Sequence, residues 1–238
     1  MPRRAQYCPV AFAADILGDR WNLLIMREMI GGASRFNEIE RCLPNVSRSL
    51  LIQRLRQLTR LGLIETMPLE GGRGHHYSLT AAGKDLEPVL LSMGEWAVRW
   101  VVGEPRAEEL DATFLIWWLH RRIEFAEVPA GRTVIRFDVV SEAREVFWLV
   151  VQPDEASVCT KDPGLGDDLY VVADGIEFQR VFAGRTTLDA ALANGSIAIT
   201  GPAKLVRSFG RWFLWSPFHD FTRAQLESEQ IRAEGLPH

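Results

Sequence analysis

The stretch PNVSRSLLIQRLRQLTRLG, from Pro44 to Gly62, decides the fold of the first part of the chain. With 3.6 residues per turn, its leucines fall on one side of a helix and most of its polar residues fall on the other. Ser47 suits the N-cap, because its hydroxyl can accept a hydrogen bond from a backbone N–H one turn later, and Gly62 suits a left-handed residue after the last turn. The pattern predicts a capped helix with one packed face and one exposed face.

The predicted exposed face of this helix carries side chains suited to nucleic acid. An Arg side chain can bond O6 and N7 of guanine together, a Gln can bond adenine, and Ser or Arg can hold phosphate oxygens. We predict DNA contacts on this face and at its start, by Ser47, Arg48, Ser49, Gln53, Arg56 and Arg60. This helix alone leaves open an ordinary amphipathic helix with a basic solvent face.

A shorter helix is predicted just before it, from Arg35 to about Cys42. Ser34 is its expected N-cap, and Leu43–Asn45 forms a three-residue turn into the central helix. Two helices joined by such a turn are a helix-turn-helix, in which the second helix contacts the bases. Arg35, at the start of the first helix, joins the predicted DNA contacts.

A β-hairpin is predicted after Gly62. Its strands lie near Leu63–Met67 and His76–Leu79, and residues 70–74 form its tip. The order of helix, helix and two-stranded wing is that of a winged helix-turn-helix. The wing residues Arg73, His75 and His76 are predicted to reach a phosphate or the minor groove, with solvated wing residues as the alternative. Because adjacent strand residues point to opposite faces, the two histidines do not predict a metal site.

The helix after the wing predicts a second subunit. It is expected to begin after Thr80 and to run to about Trp100, and its apolar stripe is too long for so small a domain to cover. We predict a homodimer, in which two-fold symmetry sets two base-contacting helices roughly 34 Å apart. The predicted interface residues are Leu86, Leu90, Met93, Trp96 and Trp100.

The length of 238 residues suits two domains, each able to bury its own core. We predict a winged helix-turn-helix DNA-binding and dimerisation domain over residues 1–103 and a second domain over residues 104–238. No run of 18 or more apolar residues occurs, and the first ten residues lack the apolar core of a signal peptide. A cytoplasmic protein with no membrane partner is therefore expected.

Charge and cysteine content narrow the choice of partner. Residues 1–100 contain 13 Lys/Arg and 10 Asp/Glu, a net charge of +3, whereas residues 101–238 contain 14 and 21, a net charge of −7. Only the first part suits a polyanion such as double-stranded DNA. The three cysteines form no CxxC pair, so neither a disulfide framework nor a metal site is predicted, and no cofactor is expected.

Seven ordered blocks of sequence carry a resemblance to a known family. They are Cys8-Pro9, Ile16–Trp21, Leu24–Arg27, Arg35–Ile39, Leu51–Leu58, Gly62–Ile64 and Tyr77–Gly83. Together they resemble the signature of the HxlR-type winged-helix transcription regulators, over about Cys8 to Trp96. The resemblance implies a homodimeric regulator on a near-palindromic operator, with the helix after Ser47 in the major groove.

The same resemblance makes Cys8 a redox-sensing candidate, because HxlR-type regulators include sensors of electrophiles, oxidants and aldehydes. A reactive thiol needs nearby cations or a helix N-terminus, and Arg3, Arg4 and the helix that follows Cys8 are placed to supply both. Cys42 of the other subunit is a candidate resolving thiol. The alternative, that Cys8 only packs at the dimer interface, stays open.

The second part of the chain is predicted as an α+β domain. Its predicted elements are, in order, a helix over Leu110–Phe125, strands near Thr133–Val139, Val146–Val151, Ser157–Thr160 and Leu169–Ala173, helices near Gly175–Ala183 and Leu188–Ala193, a strand over Ser196–Thr200 and an aromatic helix through Trp215.

The segment Leu188–Gly201 is similar to the closing helix, strand and helix of sterol-carrier-protein-2-like (SCP2-like) domains, with a looser match over Phe114–Leu214. Those domains enclose an apolar tunnel, so the resemblance implies a hydrophobic small-molecule effector. Candidate pocket residues are Trp117, Trp118, Phe178, Phe182, Trp212 and Trp215. The alternative is that these aromatic residues fill an ordinary core.

Motifs of catalysis are missing from the sequence: it has no GxSxG elbow, no HExxH, no Walker loop and no dinucleotide-binding GxGxxG. We therefore predict that the protein is not an enzyme but a DNA-binding transcription regulator, responsive to a hydrophobic small molecule or to thiol oxidation. The alternative is a binder or carrier of lipid-like molecules that uses the winged domain mainly for dimerisation.

Overall fold

A computed structural model describes residues 7–43, 45–69 and 74–234, with side chains described as far as residue 229. The chain divides into two compact units, Met1–Ser92 and Met93–His238. The division lies inside a helix, upstream of the boundary at residue 103 that the sequence suggested. Within the described ranges, no helix is both long and apolar enough to cross a membrane.

The first unit is a winged helix-turn-helix, as predicted. Strands β1 and β2 form an antiparallel hairpin in which Ile64 lies opposite Leu79 and Pro68 lies opposite His75. The elements of this unit are α1 (Pro9–Leu17), α2 (Arg20–Ile30), α3 (Phe36–Arg41), α4 (Arg48–Arg60), β1 (Ile64–Pro68), β2 (His75–Leu79) and α5 (Ala81–Lys84).

The core of this unit is built around the leucine face of α4. Leu51, Leu55 and Leu58 are at most 2% exposed. They belong to one buried cluster with aliphatic residues of α2, α3 and β1, among them Ile25, Met26, Ile39 and Ile64. Burial of each such side chain is worth about 1.5–3 kcal/mol, so the rotation of α4 about its own axis is fixed by its packing.

The ends of α4 are as predicted. The hydroxyl of Ser47 accepts a hydrogen bond from the backbone N–H of Leu50 at 3.2 Å. Gly62, two residues beyond the helix, has φ +71°. The predicted N-cap of α3, however, is wrong: the Glu38 carboxylate caps the helix instead, accepting from the backbone N–H groups of Ser34 and Arg35 at 2.9 and 3.1 Å. The negative charge of this carboxylate at the helix N-terminus also interacts favourably with the helix dipole.

The helix predicted from Thr80 to Trp100 is interrupted. Thr80 caps α5 as expected, its hydroxyl accepting from the N–H of Gly83 at 3.1 Å. The chain turns after Lys84, and α6 then runs over Glu87–Trp100. Pro88 lacks the backbone N–H that a continuous helix would use at that position, so it fits only in the first turn of a new helix.

The second unit is an α+β fold around a mixed sheet. In the described part of the chain, the sheet has the strand order β5-β4-β3-β6-β7, with β3 and β6 parallel and every other pair antiparallel. The elements are α7 (Ala112–His120), β3 (Thr133–Val140), β4 (Arg144–Val151), β5 (Ala156–Cys159), β6 (Leu169–Asp174), α8 (Gly175–Ala183), α9 (Leu188–Ala193), β7 (Ile197–Thr200), α10 (Ala203–Ser208) and α11 (His219–Glu234).

One face of this sheet carries the core of the second unit. Alternate residues of β3 point towards the helices, and Phe137 contacts both Phe178 of α8 and Phe209, with ring centroids 5.9 and 6.2 Å apart. Phe209 in turn lies 5.8 Å from Trp212. Aromatic packing therefore fills the space between the sheet and its helices.

The opposite face of the sheet buries one carboxylate. Asp138 is 0% exposed and accepts hydrogen bonds from Arg136 at 2.9 Å, from the Tyr170 hydroxyl at 2.7 Å, and from Arg144. The Arg136 guanidinium also lies between the rings of Trp148 and Tyr170. The carboxylate is therefore fully paired, as a buried charge must be.

Two helices of the second unit are shorter than predicted. Helix α7 ends at His120 instead of Phe125, and the aromatic helix ends at Ser208, followed by a 3₁₀ turn and then Trp215 at φ +43°. The segments beyond both ends pair with each other: Leu214 donates to the carbonyl of Arg122 at 2.8 Å, and the Arg122 side chain donates to the carbonyl of Trp215. Burial lowers the pKa of Arg122. No periodic pattern in the sequence indicates this pairing of Leu214 and Trp215 with Arg122.

Candidate nucleic-acid interface

The outer face of α4 consists of Ser49, Ile52, Gln53, Arg56 and Arg60, all of them exposed. Each of these positions lies three or four residues from another of the set, so they share one side of the helix. The buried leucines occupy the opposite side. The face predicted to contact bases thus lies at the surface of the unit.

Arg48 and Arg54 are held by other residues of the same unit. Arg48 lies 3.4 Å from Glu40, and its guanidinium stacks 4.9 Å from the Phe36 ring centroid. Arg54 turns inward, 2.6 Å from Asp19. We infer that Arg54 joins α4 to the start of α2, and that Arg48 presents its charge beside α3.

Arg56 and Arg60 keep their guanidinium groups available. Neither makes a hydrogen bond or an ion pair with another residue in the part of the chain that the structure describes. Arg56 lies close enough to strand β2 to act on Tyr77: burial raises the pKa of the Tyr77 phenol, and the positive charge of Arg56 opposes that rise. Arg56 therefore acts electrostatically on strand β2 while its donors stay unpaired within the described residues.

The wing is tied to both helices of the helix-turn-helix. Arg35 forms an isolated antiparallel bridge with His76, and the N–H of Tyr77 donates to the carbonyl of Ser34 at 2.7 Å. The hydroxyls of Thr59 and Thr66 lie 3.0 Å apart, which joins the end of α4 to β1. These contacts bring the exposed Arg35 next to the wing strand.

Not every predicted wing residue is placed. His75 is exposed and His76 half-buried, so both are accessible, on the part of β2 that lies nearest the tip of the wing. Arg73 lies outside the described residues. Ser47 and Ser49, with hydroxyls 3.1 Å apart, stand together at the exposed N-terminus of α4, where unpaired backbone N–H groups favour an anion such as phosphate.

The sequence analysis missed Ile52. It is 38% exposed and lies on the outer face, three residues after Ser49 and four before Arg56. Its spacing from those residues is the signal that places it on this face, although an apolar side chain is not typical of a contact with phosphates or polar base edges.

The predicted dimer residues fall into two groups. Leu86 and Leu90 are partly buried against the core of the winged unit itself. Met93, Trp96 and Trp100 on α6 are 48%, 59% and 70% exposed. The uncovered apolar stripe of α6 therefore begins after the two leucines.

The predicted sensing and pocket residues lie as follows. Cys8 is half-buried just before α1, whereas Cys42 is only 1% exposed. The candidate pocket residues are buried in the core of the second unit, except for the half-buried Trp215; they are Trp117, Trp118, Phe178, Phe182, Trp212 and Trp215. A cavity of about 310 Å³ in that unit is lined by other side chains, among them Arg99, Arg185 and Gln225. A pocket formed by the six aromatic residues stays a prediction.

Comparison with known proteins identifies relatives of the winged part. The HxlR-like helix-turn-helix family model matches residues 16–105. The HTH-type transcriptional regulator YvaP of Bacillus subtilis (strain 168) is 39% identical over 101 residues, which are 41% of this chain and 93% of YvaP. YybR of the same organism, also an HTH-type transcriptional regulator, is 37% identical over 37% of this chain and 72% of its own. Among solved structures, the redox regulator HypR in its oxidized form is 36% identical, with TM-score 0.36, over 38% of this chain and 94% of that chain.

Replacing Arg56 and Arg54 separately distinguishes a DNA contact from a structural ion pair. Arg56→Ala is expected to weaken binding to a specific duplex by about 1–3 kcal/mol, the value of a forked base contact, without changing the urea midpoint of unfolding. Arg54→Ala is expected to lower the free energy of unfolding by about 1–2 kcal/mol, because it removes hydrogen bonds to a charged partner. Fluorescence anisotropy and urea titration measure the two effects. Equal loss of affinity with no loss of stability in Arg54→Ala would contradict the assignment.

Proposed function

Because the chain belongs to the HxlR-like helix-turn-helix family of transcription regulators, we propose that it binds a near-palindromic DNA operator as a homodimer. Each protomer inserts the outer face of α4 into the major groove, and the wing contacts the neighbouring backbone. The protein acts by binding DNA and not by catalysis. The observation that carries the proposal is the exposed polar face of α4, on which Arg56 and Arg60 have no partner within the described residues.

Homodimerisation is supported by exposed apolar side chains in each of the two units, on α1 of the first unit and on the part of α6 that belongs to the second. Helix α1 is rich in apolar residues but buries none of them, with Val10 75% and Phe12 39% exposed. On α6, Met93, Trp96 and Trp100 add a stripe with two indole rings. Apolar side chains at such spacing along a helix suit packing against a second copy.

Thiol oxidation is the proposed signal. Cys8 immediately precedes α1, and its carbonyl accepts from the N–H of Phe12 at 3.1 Å, so the side chain lies at the helix N-terminus, where the dipole favours negative charge. It lies beside the exposed apolar surface of α1 that we assign to the dimer. Oxidation of the thiol would therefore change charge and bulk at the interface that sets the spacing of the two α4 helices.

A hydrophobic effector bound by the second unit is the alternative signal. The order α9, β7 and α10 agrees with the predicted SCP2-like closing segment, which supports that resemblance. The packed aromatic core is equally consistent with a ligand-binding pocket and with an ordinary hydrophobic core.

Native mass spectrometry of the purified protein separates these two cases. An added mass on each subunit that organic solvent removes supports a bound lipophile, and subunits without added mass argue against it.

The dimer is tested by charging its stripe. Trp96→Glu places a carboxylate in the apolar surface, so the protein is expected to become monomeric at micromolar concentration, because a buried unpaired charge costs several kcal/mol. Glu95→Ala, also exposed on α6, is the matched control and should leave the dimer intact. Sedimentation velocity gives the masses. A wild-type monomer, or a Trp96→Glu dimer as tight as wild type, would contradict the assigned interface.

Specific DNA binding is tested on the promoter region beside the protein's own gene. Affinity for that duplex is expected to exceed affinity for random duplex by about 10³-fold or more. A plot of the logarithm of the association constant against the logarithm of the salt concentration should have a slope of about −0.9 for each phosphate contacted. Anisotropy titrations at several salt concentrations measure both quantities. Equal affinity for the two duplexes would favour a carrier of lipid-like molecules, with the winged unit serving dimerisation.

The thiol switch is tested with Cys8→Ser. Mild oxidant is expected to change the affinity of the wild-type protein for operator by about 5- to 150-fold, the equivalent of the about 1–3 kcal/mol typical of coupled sites, and to leave Cys8→Ser unaffected. Cys159→Ser is the matched control, because Cys159 lies on a strand of the second unit and should not respond. The idea fails if mass spectrometry shows Cys8 modified while affinity is unchanged, or if Cys8 stays unmodified.

A further inference from the structure

The outer face of α4 contains one apolar side chain among its polar ones. Ile52 is 38% exposed, whereas the other aliphatic residues of the helix interior, Leu51, Leu55 and Leu58, are at most 2% exposed. An exposed isoleucine is unremarkable on a protein surface in general. Here its neighbours are Gln53 on one side and Arg56 one turn later, the two side chains on this face best suited to bonding base edges.

An apolar side chain in the major groove has one complementary partner. Every base edge there presents hydrogen-bond donors or acceptors, and the C5 methyl of thymine is the only alkyl group. A branched aliphatic side chain that displaces water from that methyl gains the burial of both surfaces. Against any other base, the same side chain would cover a polar atom without bonding it, which carries a cost.

We propose that Ile52 is a specificity-determining residue that packs against the C5 methyl of a thymine, so that each operator half-site contains a thymine within about two base pairs of the guanine bound by Arg56. The distance follows from helix geometry: four residues rise about 6 Å along α4, and successive base pairs are about 3.4 Å apart. The inference rests on the proposed function, because it requires α4 to lie in the major groove.

Helix α4 is firmly held in the unit, so the exposure of Ile52 does not result from loose packing of the helix. The three buried leucines and the Arg54–Asp19 ion pair at 2.6 Å hold α4 in one rotation. Ile52 cannot turn inward without driving a leucine to the surface. Its β-branched side chain also has one strongly preferred rotamer in a helix, so it offers a defined apolar surface to the groove.

The test removes one methyl group at a time from the DNA. The full-length protein first selects its preferred duplex from a random library, and each thymine of that duplex is then replaced by deoxyuridine, which pairs identically but lacks the methyl. One thymine per half-site is expected to lower affinity about four-fold on replacement, the value of one buried methyl. With Ile52→Ala, the same replacement should change affinity less than two-fold.

Two controls make the outcomes distinguishable. Leu61→Ala removes an exposed leucine just after the end of α4 and should keep the four-fold effect of deoxyuridine. Arg56→Ala should relax selection at a guanine within two base pairs of the sensitive thymine. Deoxyuridine without effect at every position, or an effect unchanged in Ile52→Ala, overturns the assignment of Ile52 alone. A library from which no sequence is enriched overturns the proposed function.

Discussion

The packing of the leucine face of α4 is the constraint on which the rest of the DNA-binding surface depends. Leu51, Leu55 and Leu58 occupy one side of a helix that is capped by Ser47 and is followed by Gly62 in a left-handed conformation. Because a helix repeats every 3.6 residues, burying that side leaves the opposite side exposed along its whole length. The same hydrophobic burial that stabilises the winged unit thus also aims Arg56 and Gln53 outward.

Polar contacts within the unit divide the arginines of α4 by role. Arg48 and Arg54 each meet a carboxylate of the same unit, but only the inward-turned Arg54 joins two elements, whereas the Arg48 side chain stays largely exposed beside α3. Those without a partner among the described residues, Arg56 and Arg60, remain available for an external anion. Basic content alone does not separate these groups, since all four are arginines on one helix, and only the location of Glu40 and Asp19 does so.

The features that could be predicted from the sequence are those set by local interactions. The extent of α4, its N-cap and the order of helix, helix and wing all follow from residues within one or two turns of each other. The partner of Arg54, in contrast, is 35 positions away at Asp19, and the pairing of Leu214 with Arg122 spans more than 90 positions. The second of these contacts lies beyond the ends of α7 and α10, and no periodic pattern in the sequence indicates either contact. Pro88 is a local signal for the interruption before α6, but the apolar stripe of this region predicts one continuous helix. Helix α11 was not predicted at all.

The central claim, that the outer face of α4 occupies a major groove, is tested most directly by dimethyl sulfate protection of guanine N7 in the complex with the selected operator. Guanine N7 lies in the major groove, whereas the adenine atom that the same reagent methylates, N3, lies in the minor groove. The account predicts two groups of protected guanines, centred about one helical turn apart. Guanine N7 reacting as freely in the complex as in bare DNA, while the backbone is protected from hydroxyl radicals, would contradict it.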